Sequence, residues 1–314
     1  MEQKCYKDYS TYLKSIFPYR MQKISINAGF SCPNRDGVIS IGGCTYCNNQ
    51  TFNPDYCQPN KSISQQIEEG IDFFRKKYPD QRYLAYFQAF TNTYGDLDTL
   101  RKKYEEALRH PLVEGLVIGT RPDCVDEQLL DYLKFLNEKK YIMVEYGVES
   151  TLDRTLKLIN RGHPFEAAEH AISETAQRGI ATGAHLILGL PLETKEEILS
   201  HADRISRLPL TCIKLHQLQI IKGTKMAEQY AQNPEWFHLF SADEYIDTVL
   251  DFTERLNPDF VIERFISQSP PNLLAVEGWG LKNYEFTAKL EKRMREKNIR
   301  QGALFSSKQN ISSI

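Results

Sequence analysis

The chain has 314 residues, 41% hydrophobic and 25% charged, a balance that supports a sizeable buried core and excludes both general disorder and a small disulfide-stapled scaffold. Its 39 basic and 41 acidic residues leave a formal charge of −2, which excludes gripping nucleic acid by bulk positive charge while leaving room for a local basic patch. The seven cysteines and the charged, aromatic opening MEQKCYKDYSTYLKSIF predict a reducing, cytoplasmic setting, and the longest apolar run, HLILGLPL, is far short of the ~20 residues that span a bilayer, so no membrane partner is expected.

Along the chain, short β-rich runs alternate with polar segments of helical period. Strands are predicted at 23–28, 83–90, 114–120, 141–148, 182–189 and 211–219. From the second onward their starts lie 27 to 41 residues apart, the length a strand–helix–strand crossover needs, so parallel pairing follows. Between them Ile63, Ile67, Ile71 and Phe74 mark one helical face; Ile198, Ile205 and Leu208 mark another, and Tyr245, Val249 and Leu256 a third. Near-continuous apolar runs such as GLVIG suit strands covered on both faces. The expected fold is α/β: a partial (β/α)6 barrel of TIM type over 23–232, an N-terminal extension over 1–22 and a C-terminal extension over 233–314. Residues 287–308 hold seven Lys or Arg against Glu291 and Glu296, which reads as a basic helix, either a solvated face or an RNA-phosphate surface.

Three cysteines fall in one irregular stretch after the first strand, SCPNRDGVISIGGCTYCNN. Cys32, Cys44 and Cys47 have eleven and then two residues between them. A C-x-x-C pair with a distant third thiolate can hold a four-iron cluster whose last iron lacks a protein ligand, or, with Cys57 as a fourth thiolate, a zinc ion. The position, at the carboxyl end of a strand, is where barrel active sites sit. Tyr46, between the paired cysteines, can pack on an adenine or simply serve the core. Cys5, Cys124 and Cys212 read as small buried hydrophobes, and His163, His170 and His201 as helix or loop residues.

This loop, ending in Cys-x-aromatic-Cys, resembles the radical S-adenosylmethionine (SAM) superfamily, where the first gap is most often three residues. The longer gap resembles the branch containing the catalytic subunit of Elongator, a tRNA-modifying enzyme. Thr120-Arg121-Pro122-Asp123, Arg161-Gly162-His163, His185 with Gly189-Leu190-Pro191, Ile213-Lys214 and Lys222-Gly223-Thr224 match that branch in order. CPNRDG, GCTYCN, FQAFTNTYG and IERFISQSPPNLL resemble a bacterial YhcC/YtqA type within it, along nearly the whole chain. The acetyltransferase domain of the Elongator subunit has no counterpart, so acetyl transfer is not carried over.

The resemblance implies one 4Fe–4S cluster on Cys32, Cys44 and Cys47, and SAM chelating the open iron and yielding a 5′-deoxyadenosyl radical on reduction. It implies that Thr91 or Asn92 stands where many relatives use Gly-Gly-Glu to hold the methionine amine. Glu149 and Ser150 would hold the ribose diol, although Glu149 can also cap the next helix. Arg161 suits the SAM carboxylate through a bidentate fork, or a surface ion pair. Gly189 and Leu190 would let backbone approach the adenine, in a segment that also reads as a turn. Arg121, Lys214, His216, Lys222 and Arg264 fall near strand ends as substrate candidates, with Arg121, Lys214 and Arg264 as the expected catalytic set. The implied substrate is the tRNA anticodon loop, with wobble 5-carboxymethylaminomethyl(-2-thio)uridine converted to the 5-aminomethyl form. A reduced flavodoxin- or ferredoxin-type donor and a downstream methyltransferase are the other implied partners. A radical SAM enzyme for a small metabolite, a zinc-stapled RNA-binding module and a noncatalytic degenerate barrel are the alternatives.

Overall fold

Every core strand of this chain alternates residues that face outward, toward helices, with residues that face into a curled parallel sheet, and the two faces have different chemistry. The computed structural model describes residues 4–51, 53–76 and 78–306. Within them run strands β1 (Met21–Ile26), β2 (Arg82–Phe87), β3 (Val113–Thr120), β4 (Tyr141–Glu149), β5 (Ala181–Leu188), β6 (Cys212–Gln217) and β7 (Val261–Arg264). All neighbours pair in parallel in the order β1 to β7. The helices are α1 (Tyr9–Ile16), α2 (Ile63–Arg75), α3 (Leu97–Leu108), α4 (Glu127–Asn137), α5 (Asp153–Leu158), α6 (Phe165–Gln177), α7 (Lys195–Ile205), α8 (Lys225–Gln232), α9 (Ala242–Arg255) and α10 (Asn283–Glu296). Several begin on a capping side chain left by the preceding loop: Ser62, Asp96, Asp126, Thr194 and Ser241 each accept a first-turn N–H.

The half-barrel is the expected α/β architecture, extended by a seventh strand beyond the six read from the sequence. That strand spans only four residues, too few for a periodic signal to stand out. β2 stops at Phe87 rather than running to position 90, because Phe90 turns into the left-handed region (φ 64°).

Outward residues such as Phe87, Ile118, Val144, Leu186 and Leu215 join the helices in the main core. Inward residues Leu84, Val117, Met143, Cys212 and Val261 form a second, smaller core, which α1 closes with Leu13, Tyr9 and Tyr12. Above this apolar floor the inward positions turn ionic. Lys23 of β1 lies 2.8 Å from Glu145 of β4 and 2.6 Å from Glu263 of β7. Lys214 of β6 reaches the same two carboxylates at 2.6 and 3.1 Å and donates to the Tyr86 hydroxyl at 3.2 Å. Lys214 and Glu145 are almost wholly buried, with side chains 2% and 1% exposed. Gly183 makes room for Glu145, since a Cβ there would stand 3.0 Å from its Cγ.

Burial opposes ionisation of Glu145, but Lys214, Lys23 and His185 outweigh it and hold the carboxyl well below its usual range. Lys23 is held well above its usual value, because Glu145 and Glu263 overcome its desolvation. For Lys214 burial wins and the ammonium is pulled down. The quartet also bridges the sheet's two edges, which share no ladder hydrogen bonds: β1 to β7 through Lys23 and Glu263.

The basic C-terminal stretch is partly neutralised. Arg293 lies 2.5 Å from Asp243 and 3.3 Å from Asp247, Lys297 lies 2.9 Å from Asp247, and Lys292 pairs with Glu296 at 3.7 Å. Lys308 lies outside the described residues.

Removing one member of a buried, mutually neutralising set leaves an uncompensated charge, so Lys23→Ala is expected to cost about 3–5 kcal/mol of stability. Chemical denaturation measures this directly; an unchanged midpoint would show that the quartet does not hold the barrel.

Candidate active site

At the carboxyl ends of the strands lies a cavity of about 240 Å3, lined from every side of the half-barrel and by the loop after β1. Cys32, Cys44 and Cys47 all line it. The loop owes its shape to its own hydrogen bonds: Arg35 and Asp36 donate from their backbones to the Cys32 carbonyl, and Gly43 to that of Asn34. Gly43 has φ 86°, and a Cβ there would press to 2.9 Å from the Arg35 side chain. The Arg35 guanidinium meanwhile donates to the Cys47 carbonyl at 2.8 Å.

The segment after α5 clamps this loop. Asn34 Nδ2 donates to the Asn160 carbonyl at 2.5 Å, and Asn160 Nδ2 to that of Gly43 at 2.9 Å. Arg161 is 5% exposed, so it is not a surface ion pair. Its Nη1 lies 3.6 Å from the Cys44 sulfur and its Nη2 2.5 Å from the Gly147 carbonyl, while Asn34 Nδ2 stands 3.5 Å from the same sulfur. Two N–H donors thus converge on one sulfur.

Beside Arg161, a register shift between Gly147 and Glu149 gives Glu149 a left-handed backbone (φ 66°). Bulges of this kind re-aim side chains near active sites, and Glu149 lines the cavity. It does not cap the next helix, whose cap position is Leu152, without a side-chain hydrogen bond. Burial pushes its carboxyl up, against the pull of Arg161 and a hydrogen bond with Tyr46. Tyr46, Glu149, Arg161 and Cys44 are thus one interacting cluster.

Thr91, Arg121 and Arg264 also line the cavity. Arg121 forks onto Asp123 at 2.9 and 2.7 Å. Arg264 donates to His216 Nε2 at 2.7 and 3.2 Å, and among the described residues no carboxylate lies within 4.0 Å of it.

Other expected residues sit behind the wall. Asn92 is fully buried and ties Phe87 and Gly119 carbonyls together at 3.0 and 2.8 Å. Ser150 donates to buried Glu193 at 2.6 Å. Gly189 (φ 89°) is pressed by the Phe240 ring, 2.8 Å from where a Cβ would stand, and Leu190 joins the core. Lys214 lies under the cavity in the ionic quartet rather than on its wall. Cys57 packs in the main core, where burial pushes its thiol up to about 12. His201 is buried between Thr151 and Glu193.

Sequence reasoning missed Glu145, Lys23 and Glu263, and named His185 without a role. Their signal was present: an ionisable residue amid apolar neighbours in the middle of a strand, as Glu145 is in YIMVEYGV, has to be paired.

A model of the Radical SAM superfamily matches residues 31–205, and one of the Radical_SAM C-terminal domain matches residues 210–296. The chain belongs to the Radical SAM superfamily. Over 312 residues it is 32% identical to the protein YtqA of Bacillus subtilis, covering 99% of this chain and 96% of that one. It is 26% identical over 206 residues to a tRNA uridine(34) acetyltransferase of Methanocaldococcus infernus, covering 63% of this chain and 36% of that protein. Among solved structures, the Elp3 of the same archaeon, lacking its N-terminus, superposes with a TM-score of 0.67 at 17% identity, over 90% of this chain and 64% of the other.

Radical SAM enzymes use a 4Fe–4S cluster and SAM, and the donor set here fits both. The three cysteines share one cavity wall. A cluster there would spread these thiolates over separate irons. The buried Arg121 Nη1 and Arg161 Nε have no hydrogen-bond partner. Unpaired guanidinium N–H groups are the donors that a carboxylate such as that of SAM requires.

Cys44→Ala is expected to lose the iron and the sulfide absorption of anaerobically purified protein while keeping its circular dichroism; full iron content would refute the ligand set. Burial and Lys214 pull His185 down to about 4, and burial and Arg161 do the same to His163. Both histidines bind their proton more readily when unfolded. Their contribution to stability is therefore complete above about 6.5 and is lost as the pH falls from there toward 4. Urea midpoints at pH 7.5 and 4.5 test this, and equal midpoints would contradict it.

Proposed function

We propose that this radical SAM enzyme modifies the wobble uridine of tRNA, taking 5-carboxymethylaminomethyl(-2-thio)uridine to 5-aminomethyl(-2-thio)uridine. The observation that carries the reading is Arg264, a cation on the cavity wall that has no carboxylate partner among the described residues. Lys23 and Lys214 balance Glu145 and Glu263, Arg121 is paired with Asp123, and Arg161 faces Glu149 and Cys44. Arg35 is turned to the cysteines. Arg264 is left to receive an anionic substrate group, and the arm's carboxylate suits a guanidinium fork. Similarity to a tRNA uridine(34) acetyltransferase supports the same nucleotide. An anticodon loop presents that base unstacked at low cost.

Cys32, Cys44 and Cys47 would hold the cluster, and Arg161, with Glu149, Tyr46 and Thr91 around it, would hold SAM. When bound, these cofactors would supply hydrogen-atom abstraction, here from a C–H of the carboxymethyl arm. The protein's own part is to orient the arm through Arg264 and to keep the ionic floor below it dry and rigid. A reduced flavodoxin- or ferredoxin-type donor would supply the electron, and a separate methyltransferase would act on the amine produced.

A second reading, a small amino-acid-like metabolite as substrate, is favoured by the pairing of α10 cations with Asp243 and Asp247, which weakens that helix as an RNA surface. Mass spectrometry of tRNA nucleosides from a deletion strain decides between them. Accumulated carboxymethylaminomethyl wobble uridine with loss of the aminomethyl form is expected, restored by the wild-type gene and not by Arg264→Gln. Unchanged wobble uridines would remove the tRNA claim and leave the metabolite reading.

A further inference from the structure

Beside Arg264 the cavity wall carries two histidines in opposite tautomers. His185 Nε2 lies 3.0 Å from Glu145 Oε2, and an ionised carboxylate only accepts, so Nε2 carries the proton and Nδ1 is a lone pair. His216 is reversed: its Nε2 receives both N–H bonds from Arg264, which leaves the proton on Nδ1. Among the described residues neither Nδ1 has a hydrogen-bond partner, and neither belongs to the buried unpartnered atoms. Both rings line the cavity. Their centroids are 5.6 Å apart with planes tilted by 34°; His216 stands on β6 two residues beyond Lys214, which is the register partner of His185 on β5 and of Arg264 on β7. Burial and Lys214 keep His185 neutral, and burial and Arg264 do so for His216.

The His185 lone pair and the Arg264 cation, which His216 holds in place, therefore face one cavity, and they are the complement of one chemical group. We propose that His185 and Arg264 form a subsite for an N-substituted amino-acid group, with its carboxylate on the Arg264 guanidinium, which His216 Nε2 positions, and its amine N–H on His185 Nδ1. In a glycine-like arm the amine and the carboxylate are separated by a single carbon, so hydrogen bonds of about 2.9 Å at each end let it reach from the His185 ring to the guanidinium on the same wall. The subsite rejects an arm lacking the amine, because the His185 lone pair loses its partner, and an arm lacking the carboxylate, because Arg264 stays uncompensated. Lys214, tied to Glu145 and Glu263, takes no part in the contact; it holds the Glu145 carboxylate that sets the His185 tautomer. This inference deepens the reading above and rests on it for the attachment of the arm to tRNA.

The test uses the cluster-loaded protein with SAM and no reductant, so that binding is read without turnover. Anticodon stem-loop RNAs carry carboxymethylaminomethyl-, carboxymethyl- or methylaminomethyluridine at the wobble position. The first should bind at least about tenfold more tightly than either truncated arm, the worth of one charged hydrogen bond. His185→Leu should lose only the preference over the carboxymethyl arm, and His185→Gln, whose carbonyl still accepts, should recover part of it. A folded His185→Leu that keeps the whole preference overturns the subsite, and so does equal wild-type affinity for the first two arms when the methylaminomethyl arm binds more weakly. Equal binding of all three arms removes the tRNA reading instead. N-methylglycine then decides the subsite alone, which stands if this zwitterion moves the imidazole nitrogen-15 resonances of His185 and His216 and falls if they do not move.

Discussion

The interaction on which the rest depends is the exchange of two lysines and two glutamates inside the half-barrel. A parallel sheet of seven strands leaves β1 and β7 as edges, and its concave face must be filled by something other than a partner strand. Here Lys23 from one edge and Glu263 from the other meet over Glu145 and Lys214. Each desolvated charge is tolerable only because the others are present. The quartet therefore fixes the curvature of the sheet and with it the distance across which the strand ends face one another.

Two consequences for the chemistry follow from that floor. Its charges cancel among themselves, so it adds no net charge beneath the cavity. The apolar layer beneath, sealed by Leu13, Tyr9 and Tyr12 of α1, keeps water from entering from below. A site meant to manage reactive carbon chemistry needs such closure on the side away from its mouth. The mouth itself is built from irregular backbone, with Phe90 and Glu149 in left-handed conformations, strain that the rigid sheet can bear.

Much of this was legible in sequence. The βα alternation, the parallel sheet and the grouping of Cys32, Cys44 and Cys47 after the first strand are periodic or spaced signals. The ionic quartet was not legible, because its partners lie on four strands and only the register of a folded sheet brings Lys23 to Glu263. β7 was missed because Val261–Arg264 is too short for alternation to show. Arg161 illustrates the intermediate case: its type suggested a carboxylate ligand, but only the fold shows it buried against the Cys44 sulfur. Gly189 was read for a ligand's approach, whereas the group pressing on it is the Phe240 ring, a packing partner far away in sequence.

The first residues described are sewn to the C-terminal part of the fold. Ile262 donates its backbone N–H to the Lys7 carbonyl, Gln301 donates to that of Cys5, and the Tyr6 hydroxyl donates to Glu291. During synthesis the cysteine loop leaves the ribosome early, yet β1 gains its partner across the barrel, Glu263, only after more than two hundred further residues have followed. Contacts of such long sequence separation form late and slowly. The order of biogenesis is thereby set: a nascent chain exposes its thiols before it owns a closed floor.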